Sequence, residues 1–403
     1  MNFTGQSYKN ISKAILNYDL KSFLDLYLEQ DITKITLQLS NTYKDDFALL
    51  AEQLKLYKKA KIKFPSFANA YCFFTTKSFE QASSESAAKF KATLFKGSKI
   101  LDLSGGLGVD DWAFSNSFKQ VISVDRDEYL NQIVRRNFEL LHINNIDRLD
   151  ADANDFIKND AKYDLVYLDA DRRPEIKNKR VFDLLNSEPN ILQLKKRLFE
   201  LTDTILLKLS SMLDISALFN ELVDISEVYV VSVNNEVKEL LVVLEKEFLQ
   251  QQIHAVNLEN DRVESYTSKR NLKSEISYSD EGAFFYEPSL ALIKSGIAQN
   301  YANDKGMKML APNSYFFLTN SLVNDFFGRS FKVIAKIDFS KSNVKKYLSQ
   351  NGIVKANISK RNFPVTVNEI KKTFSISDGG EEYLFFTENN SKQRLLFHCR
   401  KMN

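Results

Sequence analysis

At 403 residues, with 44% hydrophobic content, the chain is too long for one core and is expected to hold two or three domains. A formal net charge of +3 excludes a globally basic nucleic-acid binder, so such a footprint would have to be local, and no apolar run nears the roughly 18 residues that cross a bilayer. Two distant cysteines, Cys72 and Cys399, and three histidines, His142, His254 and His398, give no zinc constellation; with no signal-peptide pattern, the expectation is a cytoplasmic protein without metal or membrane.

Residues 1–90 carry helical patterning (Ile15, Leu16, Phe23, Leu24, Tyr27 and Leu28, then Phe47, Leu49, Leu50 and Leu54) and read as a helical N-terminal extension. Lys55, Lys58, Lys59, Lys61 and Lys63 form one basic cluster before Phe64-Pro65. Ala87, Ala88, Phe90, Ala92 and Leu94 predict a helix running into the first strand, with Ser83 or Ser84 as its cap. From Lys99 to Asp127 the sequence reads as strand (Ile100, Leu101, Leu103), glycine turn (Gly105, Gly106, Gly108), helix (Val109 to Phe118), strand (Val121 to Val124) and a terminal carboxylate, Asp125. Glycines allow close backbone approach, the helix aims its amides at the same spot, and a carboxylate about 20 residues on can accept ribose hydroxyls, so the stretch points to adenosine recognition.

A dinucleotide fingerprint starting at Gly106 and Gly108 would place Asp111 at its third glycine, against a pyrophosphate, and no Gly-Lys-Ser/Thr follows for a P-loop. Asp127 to Leu141 predicts one amphipathic helix, Ile146 to Leu149 a third strand, and Asp150 and Asp152 follow it. Tyr163 to Leu168 predicts a fourth strand ending in Asp169-Ala170-Asp171-Arg172-Arg173, where an open α/β sheet keeps its chemistry. Tyr163, Tyr167 and Trp112 read as packing residues. Thr204 to Leu209 is a fifth strand; Lys208 on it is open to a substrate-facing role or to that of a surface lysine. Val228 to Val233 and Leu240 to Leu244 flank Asn234-Asn235, two residues tolerant of a tight antiparallel turn.

Beyond residue 249 the reading is a small α/β unit, with Pro288 in the first turn of a helix over Leu290 to Ile293. The last block reads as β-α-β-β: Phe331 to Ile337, a helix opened by the capping box Thr366-x-x-Glu369, a turn at Asp378-Gly379-Gly380, then Tyr383 to Thr387 and Arg394 to Cys399. Further basic groups are Arg172, Arg173, Lys177, Lys179 and Arg180, and Lys355, Lys360 and Arg361.

The pattern Asp102-x-Ser104-Gly105-Gly106-x-Gly108-x-Asp110 resembles motif I of class I S-adenosylmethionine-dependent methyltransferases, whose ligand has an ammonium and a sulfonium but no phosphate. Glu80-Gln81-Ala82-Ser83-Ser84-Glu85 resembles the segment before motif I in trimethylguanosine synthases and related RNA methyltransferases, where a helix start closes over the methionine end of the cofactor. Arg361-Asn362-Phe363-Pro364, Asp378-Gly379-Gly380 and Tyr383-Leu384-Phe385 resemble the THUMP-like domain of a family of bacterial class I methyltransferases. Glu287-Pro288-Ser289 with Lys294-Ser295-Gly296 looks like that family's ferredoxin-like insert, and Lys208-Leu209-Ser210-Ser211-Met212-Leu213-Asp214 adds to the likeness.

The resemblance implies a Rossmann-like α/β core, mostly parallel with an antiparallel last strand, over 91–248. Before it stands the helical extension 1–90; after it come a ferredoxin-like region 249–325 and a THUMP-like domain 326–403, both small and α+β. It implies S-adenosylmethionine as cofactor, held by Asp102, Ser104, Gly105, Gly106, Gly108, Asp110, Asp125, Asp152 and Ser83, with Asp152 preferred to Asp150 beside the adenine amino group because Phe156 and Ile157 follow it. Asp169 and Asp171 are the expected catalytic carboxylates, and Arg172, Arg173, Lys208 and Arg361 the expected substrate contacts, to a base in tRNA or rRNA. Enzymes that methylate exocyclic amines place Asp/Asn-Pro-Pro-aromatic after this strand; Ala170, Asp171 and Arg172 depart from that pattern and remove the ring that would stack on a flipped base. The alternatives are a small-molecule or protein methyltransferase on the same core, and a non-catalytic RNA-binding protein with a relic cofactor site.

Overall fold

The computed structural model describes residues 19–43, 47–172, 187–260, 262–272 and 274–402. Two compact units emerge, Met1–Ser226 with Leu241–Phe248, and Glu227–Leu240 with Leu249–Asn403.

Among the described residues the first unit begins with the helices α1 Leu20–Tyr27, α2 Ile32–Tyr43, α3 Phe47–Lys63, α4 Pro65–Asn69, α5 Thr76–Gln81 and α6 Glu85–Leu94. In α3 the spacing of Leu50, Gln53, Leu54, Tyr57 and Ala60 buries one face, and Pro65 ends the helix because it brings no N–H and starts the next one. Gln53 on that buried face is matched on both sides, its amide donating to the Phe74 carbonyl (2.8 Å) and accepting from the Phe74 N–H (2.9 Å). Of the two candidate caps of α6, Ser84 accepts from the Ala87 N–H (3.3 Å), while Ser83 turns elsewhere.

A parallel sheet follows. Its strands are β1 Gly97–Asp102, β2 Phe118–Asp125, β3 Ile146–Asp150, β4 Leu165–Asp169 and, after the two-residue strands β5 Asp171–Arg172 and β6 Ser187–Glu188, β7 Thr204–Ser210. The order β7-β4-β1-β2-β3 is parallel throughout, and it is covered by α7 Val109–Phe114, α8 Glu128–Leu140, α9 Ala153–Phe156, α10 Ile191–Leu201 and α11 Ile215–Glu221. The chain leaves β1 for β2 on one side and returns to β4 on the other, which opens a crevice at the carboxyl ends of β1 and β4. Helix α7 stops at Phe114, short of the expected Phe118, because Phe118 is already the first, buried residue of β2. Strands β8 Ile225–Val233 and β9 Glu236–Glu245 form a hairpin through Asn234 and Asn235, both at positive φ (51° and 60°), as a type I′ turn demands, and β9 lies between β8 and β7.

In the second unit, β10 Gln252–Glu259 runs parallel to β8 and antiparallel to β11 Arg262–Lys269. A separate sheet, in the order β13-β14-β12-β15-β18-β17-β16, contains β12 Phe284–Pro288, β13 Lys308–Met309, β14 Phe317–Thr319, β15 Gly328–Asp338, β16 Lys355–Lys360, β17 Ser377–Glu388 and β18 Arg394–Lys401. Helix α12 Leu290–Ser295 packs on β10 and α13 Ala298–Asp304 beside β13, while α14 Lys341–Gln350 and α15 Val367–Phe374 close a core of Val344, Leu348, Ile370 and Phe386 on the sheet; Phe285, Phe316, Phe331, Phe385 and Phe397 form a second core.

Several expectations for this region need correction. The final block has two more elements than β-α-β-β: α14 and β16. Asp378-Gly379-Gly380 is no turn but lies inside β17, where the pairing with β16 jumps from Ala356↔Asp378 to Asn357↔Tyr383, a bulge that leaves residues 379–382 without a partner in that register. Pro288 ends β12 instead of opening α12; Ser289 caps that helix by accepting from the Leu292 N–H (3.2 Å). Cys72 and Cys399 are buried free thiols. Among the described residues no helix is long and apolar enough to cross a membrane, and no group of His, Cys, Asp or Glu could hold a metal ion.

Candidate active site

The crevice at the strand ends is a cavity of about 460 Å³. Its wall includes Ser83, Asp102, Ser104, Gly105, Gly106, Gly108, Asp110, Asp125, Asp152 and Asp169, so the sheet brings together ten residues expected at the site from four strand ends and the segment before α6. Thr75, Thr76, Lys77, Ser78, Gln81 and Ala82 complete it from the helical extension.

The turn after β1 is organised by Asp102 and a buried cation. Asp102 Oδ1 accepts from the Ser104 N–H (2.7 Å) and Oγ (2.9 Å), and the same Oγ accepts from the Asp169 N–H (2.7 Å), which locks the end of β1 to the end of β4. Beneath the turn lies Arg148 of β3, whose side chain is 1% exposed. A Cβ on Gly105 would stand 1.9 Å from Arg148 Nη1, so only glycine fits over it. Gly108 (φ 76°) reaches a left-handed conformation at the N-cap of α7. Asp125 sits opposite the turn, with Oδ2 accepting from the Gly106 N–H (2.9 Å) and Oδ1 from the Asp127 N–H (2.9 Å). Asp152 caps α9 through Oδ1, which accepts from the Asn154 N–H (2.9 Å). Its rival Asp150 is outside the cavity wall, held by Asn131 (2.6 Å) and Arg135 (2.7 Å).

Asp111, which stands where a dinucleotide fingerprint would need its third glycine, does not face the glycine turn. It is fully buried on the far side of α7, where its Oδ2 accepts from Ser123 Oγ (2.5 Å) and lies 3.3 Å from Arg148 Nη1. Burial, and then the neighbouring Asp111 charge, push the Asp102 carboxyl well above the ordinary carboxylate range. With Asp111 paired to Arg148, Asp102 is the member of the pair that keeps a proton.

The other end of the cavity is a mixed-charge cluster. Lys91 of α6, its side chain 0% exposed, donates to Ser83 Oγ (2.7 Å) and lies 3.0 Å from Asp110 Oδ1. Asp110 Oδ2 accepts from Ser83 Oγ (3.0 Å) and from the Tyr167 hydroxyl (2.8 Å). Burial would raise the Asp110 carboxyl, but the ammonium groups of Lys91 and Lys208 and the bonds from Lys91 and Tyr167 outweigh it and hold the group below its ordinary value. Lys208 pairs with Asp169 across adjacent positions of β7 and β4, so it is an inward-facing partner of the site and not a surface lysine.

Residues 97–247 match the family model described as RNA cap guanine-N2 methyltransferase, and residues 328–401 match one described as THUMP domain-like. The chain is a methyltransferase with a THUMP-like domain. A Porphyromonas gingivalis W83 protein proposed to be a methyltransferase is 28% identical and covers 98% of this chain and 100% of its own, with a TM-score of 0.87. A Streptococcus mutans protein, also proposed to be a methyltransferase and solved with SAH, is 18% identical and covers 40% of this chain and 96% of its own, with a TM-score of 0.30. No curated protein matches the chain.

The core of the methyltransferase is the Rossmann-like class I fold, and its THUMP-like domain forms part of the separate mixed sheet. S-adenosylmethionine is its cofactor, and the cavity fits it. The lining offers carboxylates for an ammonium and a sulfonium, a glycine turn with no room for a Cβ at Gly105, and a volume within the roughly 300–1,000 Å³ of small-ligand sites.

Arg361 stands apart in the second unit. Its guanidinium donates to the carbonyls of Ser314 (3.4 Å) and Tyr315 (2.9 Å), meets Glu287 (3.4 Å) and lies over the Phe316 ring, all within the second unit. Arg173 lies outside the described residues, and Asp171 and Arg172 are placed by their backbone alone, paired with Glu188 and Ser187. Sequence reading missed Lys91, Arg148 and the hydroxyl of Tyr167. The available signal was a charge on an apolar face: Lys91 falls on the Ala87, Ala88, Ala92 stripe of α6.

Proposed function

We propose that this methyltransferase transfers the methyl group of S-adenosylmethionine to a base of RNA, with Asp169 orienting the acceptor nitrogen or oxygen. The observation that carries this is the placement of Asp169: at the carboxyl end of β4, on the cavity wall, its N–H fixed by Ser104 Oγ and its carboxylate opposed by Lys208. The RNA substrate is supported by the descriptions of the two family models, an RNA cap guanine methyltransferase and a THUMP-like domain.

When bound, the cofactor supplies a methyl group on a sulfonium, which leaves as a neutral thioether after in-line displacement. The protein has to align the acceptor at about 3 Å and exclude water. In this reading Asp125 takes the ribose hydroxyls, since each of its oxygens keeps a lone pair after accepting one backbone N–H. Asp152 faces the adenine amino group with its second oxygen. Ser83 and Asp110, fixed by Lys91, flank the methionine end with Asp102, Ser104 and the turn glycines. Asp169 accepts a hydrogen bond from the acceptor group and aims its lone pair at the methyl; Lys208 keeps that carboxylate in place. Asp171 is a second acceptor, and Arg172 and Arg173 take substrate phosphates through their fork geometry.

The test is incubation of the purified protein with radiolabelled S-adenosylmethionine and RNA from cells that lack the enzyme. Nuclease-sensitive label is expected, and Asp169→Ala should abolish it while cofactor affinity stays unchanged. Label in a small soluble product or in protein would replace the RNA reading, and normal turnover by Asp169→Ala would remove the residue's assigned role.

A further inference from the structure

Arg148 is buried behind the cavity wall without being part of it, and all three of its guanidinium nitrogens are engaged. Its Nε donates to Asn131 Oδ1 (2.6 Å), Nη1 to Ser123 Oγ (2.8 Å) and Asp111 Oδ2 (3.3 Å), and Nη2 to the Gly106 carbonyl (2.8 Å). Nη2 also lies 3.6 Å from Asp125 Oδ2, the oxygen that accepts the Gly106 N–H. One guanidinium thus holds the Gly106 peptide through its carbonyl and, through Asp125, the carboxylate bonded to the same residue's N–H. Asn131 closes the ring by donating to the Asp125 carbonyl (2.8 Å).

We infer that Arg148 is a positioning residue for cofactor recognition: it sets the distance between the glycine turn and Asp125 and turns the free lone pairs of that carboxylate toward the cavity. The geometry gives three reasons. A planar fork can serve several acceptors in fixed directions at once, which an ammonium cannot. Its charge lies 3.3 Å from Asp111 Oδ2 and 3.6 Å from Asp125 Oδ2, so one cation holds both carboxylates by charge as well as by direction. And the turn is shaped to it, since the Cβ missing at Gly105 is the space that Nη1 fills. The inference rests on the ribose reading of Asp125.

The experiment compares wild type with Arg148→Lys and Arg148→Met by calorimetry, using S-adenosylhomocysteine and its 2′-deoxy and 3′-deoxy analogues, with thermal unfolding of each variant as a control for folding. A hydrogen bond to a charged carboxylate is worth about 1.5–3 kcal/mol, so the wild type should bind at least one deoxy analogue about tenfold or more weaker than the parent. In Arg148→Lys the parent should bind about tenfold weaker and the deoxy penalty should shrink to about twofold or less, because the carboxylate no longer meets the hydroxyls in register. The Lys variant keeps the charge and carries the test even where Met does not fold. A variant that retains the full deoxy penalty overturns the inference and leaves Arg148 a fold-stabilising residue only. A wild type with no deoxy penalty overturns the ribose reading instead, and the inference with it.

Discussion

Asp102 and Asp111 occupy one dry space behind the glycine turn, and only Asp111 has a cation. Because burial and its neighbour raise the Asp102 carboxyl, the folded protein holds a proton there that the unfolded chain releases near the ordinary value of about 3.9. Above that pH the native state binds more protons than the unfolded one, so stability from this group is full below about pH 4 and is lost as pH rises toward the raised native value. Asp102→Asn imitates the protonated acid, keeping an acceptor for Ser104 and a donor for Asp111. It should flatten the fall in unfolding free energy as pH rises above about 4, relative to wild type, measured by denaturant titration at each pH. Equal slopes in the two proteins would place the proton elsewhere. The buried charges show what residue-level reading can and cannot reach. Asp102, Asp110 and Asp125 stood out by spacing from the glycines, whereas Lys91 and Arg148 are widely separated in sequence from the carboxylates they pair with, and nothing local announces a salt bridge between β3 and α7.

Among the elements, the strands of the parallel sheet were legible because both faces are covered and their apolar runs are continuous, as in Val121 to Val124 and Leu165 to Leu168. Helix α14 was not: in KSNVKKYLSQ only Val344 and Leu348 are buried, and two apolar anchors on an otherwise lysine-rich segment look like a solvated loop. The glycines at 379 and 380 misled for a related reason, since Gly-Gly marks a bulge as readily as a turn, and only the partner strand distinguishes them. Gly108 is the element-scale constraint at the site. At φ 76°, where an added methyl would stand only 2.7 Å from Phe138 Cζ and 2.9 Å from Val134 Cγ1, it joins the turn to α7 over the packed face of α8. Gly108→Ala should cost about 1–3 kcal/mol of stability, read as a fall of several degrees in Tm, and weaken cofactor binding with it. A Tm within a degree of wild type would mean that α8 yields to the methyl.

For the whole molecule, the class of the core and its cofactor were readable from about 30 residues around the first glycine turn, while the number of elements in the C-terminal sheet was not. A parallel α/β core repeats one local pattern, but a mixed sheet is defined by pairings such as Phe285↔Phe331 and Phe331↔Lys401 that join distant segments. With a net charge of only +3, RNA affinity under the proposal comes from a local group of phosphate contacts rather than from the overall charge. The dependence of binding on salt should then count those contacts, with log K falling by about 0.7 per single-strand phosphate contact for each decade of salt.

Phe73 and Asn137 exchange two hydrogen bonds, the Phe73 N–H to Asn137 Oδ1 (2.8 Å) and Asn137 Nδ2 to the Phe73 carbonyl (2.9 Å), all of it buried. That clasp fastens the stretch leading to Thr75–Ser83, which walls the cavity, onto α8, the helix that follows Asp125. Family likeness in the core begins at residue 97, yet a chain begun there would present a bowl without its near side. Such a truncated chain should keep its sheet by circular dichroism and lose S-adenosylmethionine binding by more than tenfold; unchanged affinity would show that the helices merely cover the bowl. The edge of the family match and the edge of the cavity thus fall at different places in this polypeptide, because Thr75–Ser83 wall the cavity ahead of residue 97.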